Sequence, residues 1–403
     1  MIDFSLTPEQ LLLRDTARAF AAKEIAPLAD SLYNGDERDA DAWPSIKRMI
    51  EKGVELGFTR MLVPEERGGL GAAAIDLAIV LEELGAADVG FASDYFSLTA
   101  TMPLIAIRGG SEAQSADFLE RFLSQPMILA GAQSEPNTGG SELMSADADP
   151  KRGPKLPAVR DGDDYVLTGE KSAFITNAGV ADAYFILART NPDKPVSEGL
   201  SIFEIPADAP GLSVSGNTEL IGWRGSKHAS LIFDGVRAPE SSRYGAEGGA
   251  AMIFAQIPEM PVCLAACFVG LARICFDRAL TYARDRVVSG RPIAEHQAVA
   301  LKLSEMAVAV QSARLLVWDA AIACQEDPMA AATLKGPAAK TSAVDAAIRN
   351  AQRAMEIFGG YGVTKEYGVG RLLNDAWIGY ACDFTSDILR LGMTPFLKPS
   401  GEF

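Results

Sequence analysis

The stretch YACDFTSDILR, residues 380–390, sets a carboxylate, Asp383, between Cys382 and Phe384 in mostly apolar surroundings. Burying an ionised carboxylate is costly, so a protein avoids it or uses it. Three readings are open: a solvated residue, the cap of a helix beginning at TSDILRL, or a catalytic base. The histidine count narrows the chemistry. With only His228 and His296, and no HExxH, a zinc site or a histidine-based triad is not expected. The chemistry must come from carboxylates, hydroxyls or a bound cofactor.

Composition sets the frame. The 403 residues suffice for two or three domains around a large core. A net charge of −16 without a basic cluster argues against nucleic acid as a partner. MIDFSLTPEQ lacks the basic and apolar regions of a signal peptide, and no run reaches 18 apolar residues, so no membrane span is expected. The five cysteines form no CxxC pair and read as free thiols in a reducing cytoplasm.

Three regimes follow one another. Residues 1–125 read as helical: Thr7 caps a helix with Pro8 at its first position, and the pattern stops at Pro27. Residues 126–240 carry short apolar or alternating runs separated by Pro, Gly, Asp and Asn, a β-domain, with a mobile surface loop over 145–163. Residues 241–403 return to long helices. Val299, Leu303, Met306, Val310, Ala313 and Val317 recur at alternating spacings of four and three, the seam of a helix bundle. The fold class is α+β and multidomain: a helical domain, a β-barrel or sheet domain, and a four-helix bundle.

Three motifs bear on ligand binding. AQSEPNTGGSE (132–142) lets backbone approach a ligand, GEKSAFITN (169–177) is a strand bearing an aromatic and small donors, and MEIFGGYGVTKEYGVGRLLNDA (355–376) has paired glycines at a helix end. Each alone reads as a turn, a core strand and a helix cap. In this order, together with LTPEQ, VPEERGGLG, GWRGS and the TS of DFTSD, they resemble the acyl-CoA dehydrogenase family along nearly the whole chain.

The resemblance implies non-covalent FAD. Gln133 and Ser134 would meet the flavin pyrimidine, Phe174 would flank the ring where the family usually has tryptophan, and Ile175 and Thr176 would line it. Arg286, Gln297, Gly359 and Gly360 would reach the FAD of a neighbouring subunit, with Thr385 and Asp387 near the dinucleotide. A homo-oligomer, dimer or tetramer, is therefore expected. Ser141 would face the pantetheine of an acyl-CoA thioester. Asp383 aligns with the family's α-proton acceptor, usually a glutamate followed by glycine; here aspartate precedes Phe384, which alters the acyl pocket.

Asp94, in the segment lining the acyl tail, and Glu259, near the base of some branched-chain members, are the competing carboxylates. Met260-Pro261 replaces a usual arginine of the CoA site. The implied activity is oxidation of a branched or cyclic acyl-CoA, with electrons passed to an electron-transferring flavoprotein. Two alternatives share the fold: an oxidase resembling nitroalkane oxidase, and a flavin-binding partner subunit of a heteromeric dehydrogenase.

Overall fold

The computed structural model describes residues 5–35, 39–139, 142–143 and 147–399. In the N-terminal part, helix α1 (Pro8–Phe20) begins at Thr7, whose side chain and that of Gln10 close a reciprocal capping box. The chain does not stop at Pro27. A π-helical turn over Ala21–Ile25 widens the helix and leads into α2 (Ala26–Asn34), with Pro27 in its first turn. There the missing N–H costs little. Helices α3 (Asp39–Glu55), α4 (Ala74–Ala87) and α5 (Glu112–Ser124) follow.

The middle part holds two four-stranded sheets and no closed barrel. One has the order β1 (Leu129–Ala132), β4 (Ala183–Arg189), β5 (Leu200–Pro206), β8 (Arg243–Tyr244), with β1 parallel to β4. The other is antiparallel, in the order β2 (Ala158–Asp161), β3 (Asp164–Thr176), β7 (His228–Pro239), β6 (Leu212–Ser215). Tyr165 and Phe203 meet edge to face at 5.0 Å, joining one sheet to the other. The stretch expected as a loop thus contains a strand, β2, paired with β3.

The C-terminal part packs α6 (Glu259–Asp285), α7 (Gln297–Glu326), α8 (Gly336–Phe358) and α9 (Val369–Ala381), followed by α10 (Ser386–Met393). The hairpin β9 (Val287–Val288)–β10 (Arg291–Pro292) joins α6 to α7. Leu303, Met306, Val310, Ala313 and Val317 are buried along α7, as their spacing requires. Helix α4 joins this bundle through Gly85 and Gly270. A Cβ on Gly85 would lie 2.3 Å from the Cys267 carbonyl, and one on Gly270 2.2 Å from that of Glu82, so both positions need glycine.

By length and composition α6 and α7 could cross a membrane, contrary to the reading of the sequence. The apolar stretch of α6 is instead 72% buried within the protein, that of α7 39%.

One buried network ties the three parts together. The Asp375 carboxylate of α9 accepts the Tyr33 hydroxyl and, at 2.8 Å, the backbone N–H of Trp223, which stands left-handed at φ 52°. The Trp223 indole donates back to the Asp375 carbonyl at 3.1 Å. Arg371 lies 4.8 Å over the Tyr33 ring and pairs with Asp30 at 3.0 Å. Burial, and then the charge of Asp88, push the Asp375 carboxyl up to about 7.

An unfolded aspartate titrates near 4, so the raised group favours folding at low pH. That contribution is lost as pH climbs from about 4 through 7, at up to about 1.4 kcal/mol per unit. Asp375→Asn, which keeps the acceptor oxygen and removes the titration, is expected to flatten this decline. Thermal midpoints between pH 5 and pH 8 check it: the wild type should lose more than the variant.

Candidate active site

Asp383 lies in the turn between α9 and α10, and it is not the cap of α10. Thr385 is: its hydroxyl accepts the Ile388 N–H at 3.4 Å. Asp383 and Phe384 are both left-handed, at φ 41° and 69°, a conformation bulky non-glycine residues seldom adopt. The turn is held by Lys340 of α8, fully buried, whose ammonium donates to the Gly379 carbonyl at 2.8 Å and the Phe384 carbonyl at 2.9 Å.

The Asp383 side chain is exposed at the turn, with protein close around its carboxyl. Burial raises its carboxyl above the ordinary range, and the Lys340 charge opposes the rise. Phe384 packs in the apolar cluster that includes Leu98, Met102 and Met260.

Asp94, from the N-terminal part, lies close enough to Asp383 for their charges to interact. It sits in a π-helical turn, Ala92–Ser97, and the widened turn frees its carbonyl, which Asn177 takes at 2.8 Å. The Asp94 side chain is 3% exposed and its Oδ2 has no partner. Burial pushes the carboxyl well above the usual range; Ser226 opposes this, and the charges of Asp383 and Asp88 add to it. Both carboxyls are thus raised by burial, and of the two Asp383 has the Lys340 charge to oppose the rise. Glu259, by contrast, is unavailable as a base. Arg108 grips both its oxygens at 2.6 and 2.7 Å in a nearly dry site.

The ring-binding candidates cluster on the middle sheets. A β-bulge interrupts the β3–β7 register between Lys171 and Ile175. Within it Phe174 is 63% exposed while Ile175 is buried, on opposite faces of the strand. The Thr176 hydroxyl and His228 Nε2 are 3.2 Å apart. Burial pulls His228 down to about 4, so its ring is neutral at pH 7. Gln133 and Ser134 are half-buried in the adjoining turn, where the Ser134 carbonyl accepts the Ser172 N–H at 3.0 Å. The buried Lys171–Glu135 pair, 2.8 Å, braces that turn.

A second surface lies on the bundle. Arg286 stands 5.5 Å over Tyr361, beside Gly359 and Gly360, around which an added Cβ would meet nothing within 4 Å. Gln297 is exposed at the start of α7. Asp387 accepts the Tyr380 hydroxyl at 2.6 Å and lies 3.6 Å from Arg390. Ser141 lies outside the described residues.

Comparison with known proteins settles the relationship. The N-terminal, middle and C-terminal domain profiles of acyl-CoA dehydrogenase match residues 7–126, 130–236 and 247–394. The chain belongs to the acyl-CoA dehydrogenase family. It is 36% identical to the cyclohex-1-ene-1-carbonyl-CoA dehydrogenase of Geobacter metallireducens, over 96% of this chain and 97% of that one. The butyryl-CoA dehydrogenase structure from Megasphaera elsdenii superimposes with a TM-score of 0.88 at 28% identity, covering 98% and 99% of the two chains. An FAD complex of PigA superimposes at 0.84 with 26% identity, covering 98% and 99%.

The family is one of FAD-dependent oxidoreductases acting on CH–CH bonds. The residues here fit FAD: an aromatic wall left bare, small donors beside it, and an uncovered glycine turn. Lys340, Lys171 and Arg108 were not legible as site residues. The one available signal is that Lys340 falls in the apolar stripe of α8 with Gly336, Ala343, Val344 and Ala347.

Because Phe174 is exposed, Phe174→Ala should change the stability of the flavin-free protein by no more than about 0.5 kcal/mol. It should still weaken FAD retention by about tenfold, the worth of one aromatic stacking contact. Flavin absorbance after gel filtration, beside the apoprotein melting curve, checks both halves.

Proposed function

We propose that the protein dehydrogenates the CoA thioester of a branched or cyclic acid between Cα and Cβ, with Asp383 accepting the α-proton. The observation that supports this reading is the placing of two carboxylates, Asp383 and Asp94, close enough for their charges to interact, with the Lys340 ammonium beside the first and an unpartnered buried oxygen on the second. Asp383, answered by the Lys340 charge, is the group to ionise and act as base. Asp94, raised by burial and with one oxygen unpartnered, is the second proton-transfer group and meets a ring or branch carbon. FAD, when bound, accepts the hydride from the β-carbon.

Phe384 narrows the space a straight tail would use, and an aspartate reaches about 1.5 Å less far than a glutamate. Both changes favour a substrate whose α-carbon is presented differently. The named activity of the Geobacter metallireducens relative, on a cyclohexene-carbonyl thioester, points the same way.

In this reading Gln133, Ser134, Phe174, Ile175 and Thr176 hold the flavin ring of their own subunit, and Thr385 and Asp387 lie near its dinucleotide. Arg286, Gln297, Gly359 and Gly360 face the FAD of a second copy. The apolar surface of the bundle, with Val363 76%, Val308 65% and Leu301 59% exposed, suits such a homo-oligomer. Electrons then pass to an electron-transferring flavoprotein.

Turnover with an artificial electron acceptor, over straight, branched and cyclic acyl-CoA, tests the proposal. Branched or cyclic thioesters should lead; fast turnover on straight chains alone contradicts it. On the best substrate, Asp383→Asn should lose on the order of 10²–10⁴ in kcat/KM. Since Asp383 works ionised, kcat/KM should fall on the acid side. Asp94→Asn should cost more on cyclic than on straight substrates.

A further inference from the structure

We propose that Lys340 is the positioning residue of the catalytic turn: its buried ammonium clamps the Gly379 and Phe384 carbonyls and so aims the Asp383 carboxylate into the cleft. The inference rests on Asp383 being the base, and extends that reading to a residue on another helix.

The starting point is an energetic anomaly. Lys340 is 0% exposed in the apolar face of α8, and taking an ammonium out of water costs several kcal/mol. Buried lysines are ordinarily matched by a bonded carboxylate, as Lys171 is by Glu135 at 2.8 Å. Lys340 donates its hydrogen bonds to two backbone carbonyls instead. One, Gly379, is in the last turn of α9, where carbonyls lack helical partners and the helix dipole is negative. The other belongs to Phe384, the second of two left-handed residues.

Those two residues need such a clamp. Each non-glycine left-handed residue costs on the order of 1–3 kcal/mol and persists only where its surroundings over-determine it. Asp383 tolerates the conformation better than Phe384, whose bulk makes it the more strained. The Lys340 bond falls on the carbonyl of that less tolerant residue. Releasing it lets 383 and 384 relax towards negative φ, and the carboxylate swings with the backbone that carries it.

The surrounding charges point to Asp383 as the partner in the field. On the turn, Cys382 is a neutral thiol pushed up to about 12, chiefly by burial. On α10, Arg390 is bound to Asp345 of α8 at 2.6 Å, so those two charges answer each other. Burial lowers the Lys340 ammonium, and Asp383 raises it again, as does Asp345 from further off. The Lys340 charge in turn opposes the rise that burial causes at Asp383, so each favours the ionised state of the other.

Lys340→Met, made in the full FAD-loaded protein alone and with Asp383→Asn, tests the clamp. Amide hydrogen exchange over peptides spanning 380–390 should accelerate about tenfold or more. With the best acyl-CoA, kcat should fall roughly 10- to 100-fold, the scale of a 1 Å misplacement, with KM within about twofold. The acid limb of kcat/KM should move to higher pH, and Lys340→Met should slow Asp383→Asn no further. Unchanged exchange together with an unmoved acid limb overturns the proposal.

If Asp383→Asn keeps the wild-type rate while Lys340→Met still loosens the turn, the base assignment fails and the clamp stands. Should Lys340→Met not fold, Lys340→Arg carries the test: the charge remains, so the acid limb stays and kcat drops because the guanidinium fork does not match two converging carbonyls. Wild-type kcat in Lys340→Arg then overturns the clamp.

Discussion

A buried lysine that holds a strained turn is the interaction on which the rest of the structure depends. The Lys340 ammonium donates to the Gly379 and Phe384 carbonyls and so fixes the backbone that carries Asp383. Among the described residues no cation bonds the Asp383 carboxylate; the lysine contributes its charge through space and opposes the rise that the surrounding protein causes. A second acid, Asp94, lies close enough to feel the charge of Asp383 and is raised by burial with no lysine to oppose it.

Everything else serves to keep those groups in register. The base turn comes from the bundle, Asp94 from the N-terminal part, and the ring-binding strand from the middle sheets. Asp375, Tyr33, Trp223 and Arg371 lock all three within one buried network, and Asn177 pins the Asp94 turn to Leu129 of β1 at 3.0 Å. Further out, Glu82 and Glu83 of α4 are gripped by Arg273 and Arg314, fastening α4 to the bundle, and Glu83 also by Arg18 of α1. The candidate residues for the family's oxidoreductase chemistry thus come from three independently patterned regions held together by these contacts.

The parts readable from sequence were those governed by local rules. The Thr7 cap and the α7 seam are short-range patterns; the cap is present, and the seam is buried from Leu303 to Val317, with Val299 half-buried at its start. The order of motifs along the chain carried the family and its cofactor. The failures are long-range or compensated. Pro27 reads as a stop, but a π-helical turn absorbs it. A barrel and two open sheets have the same strand pattern, because closure depends on edge pairing that alternation does not encode. Glu259 looked available because Arg108 is 151 residues away. The left-handed pair at 383–384 contains no glycine to announce it, and the partners of the buried Lys340 and Lys171, backbone carbonyls and a distant glutamate, leave no local pattern.

The most direct test is a crystal structure of the FAD-bound protein with an unreactive thioether analogue of its preferred acyl-CoA. The account predicts the Asp383 carboxylate within about 3.5 Å of the α-carbon, the Asp94 carboxyl against the acyl group, and residues 383 and 384 still left-handed. An Asp383 turned to bulk water, with another carboxylate at the α-carbon, would contradict it.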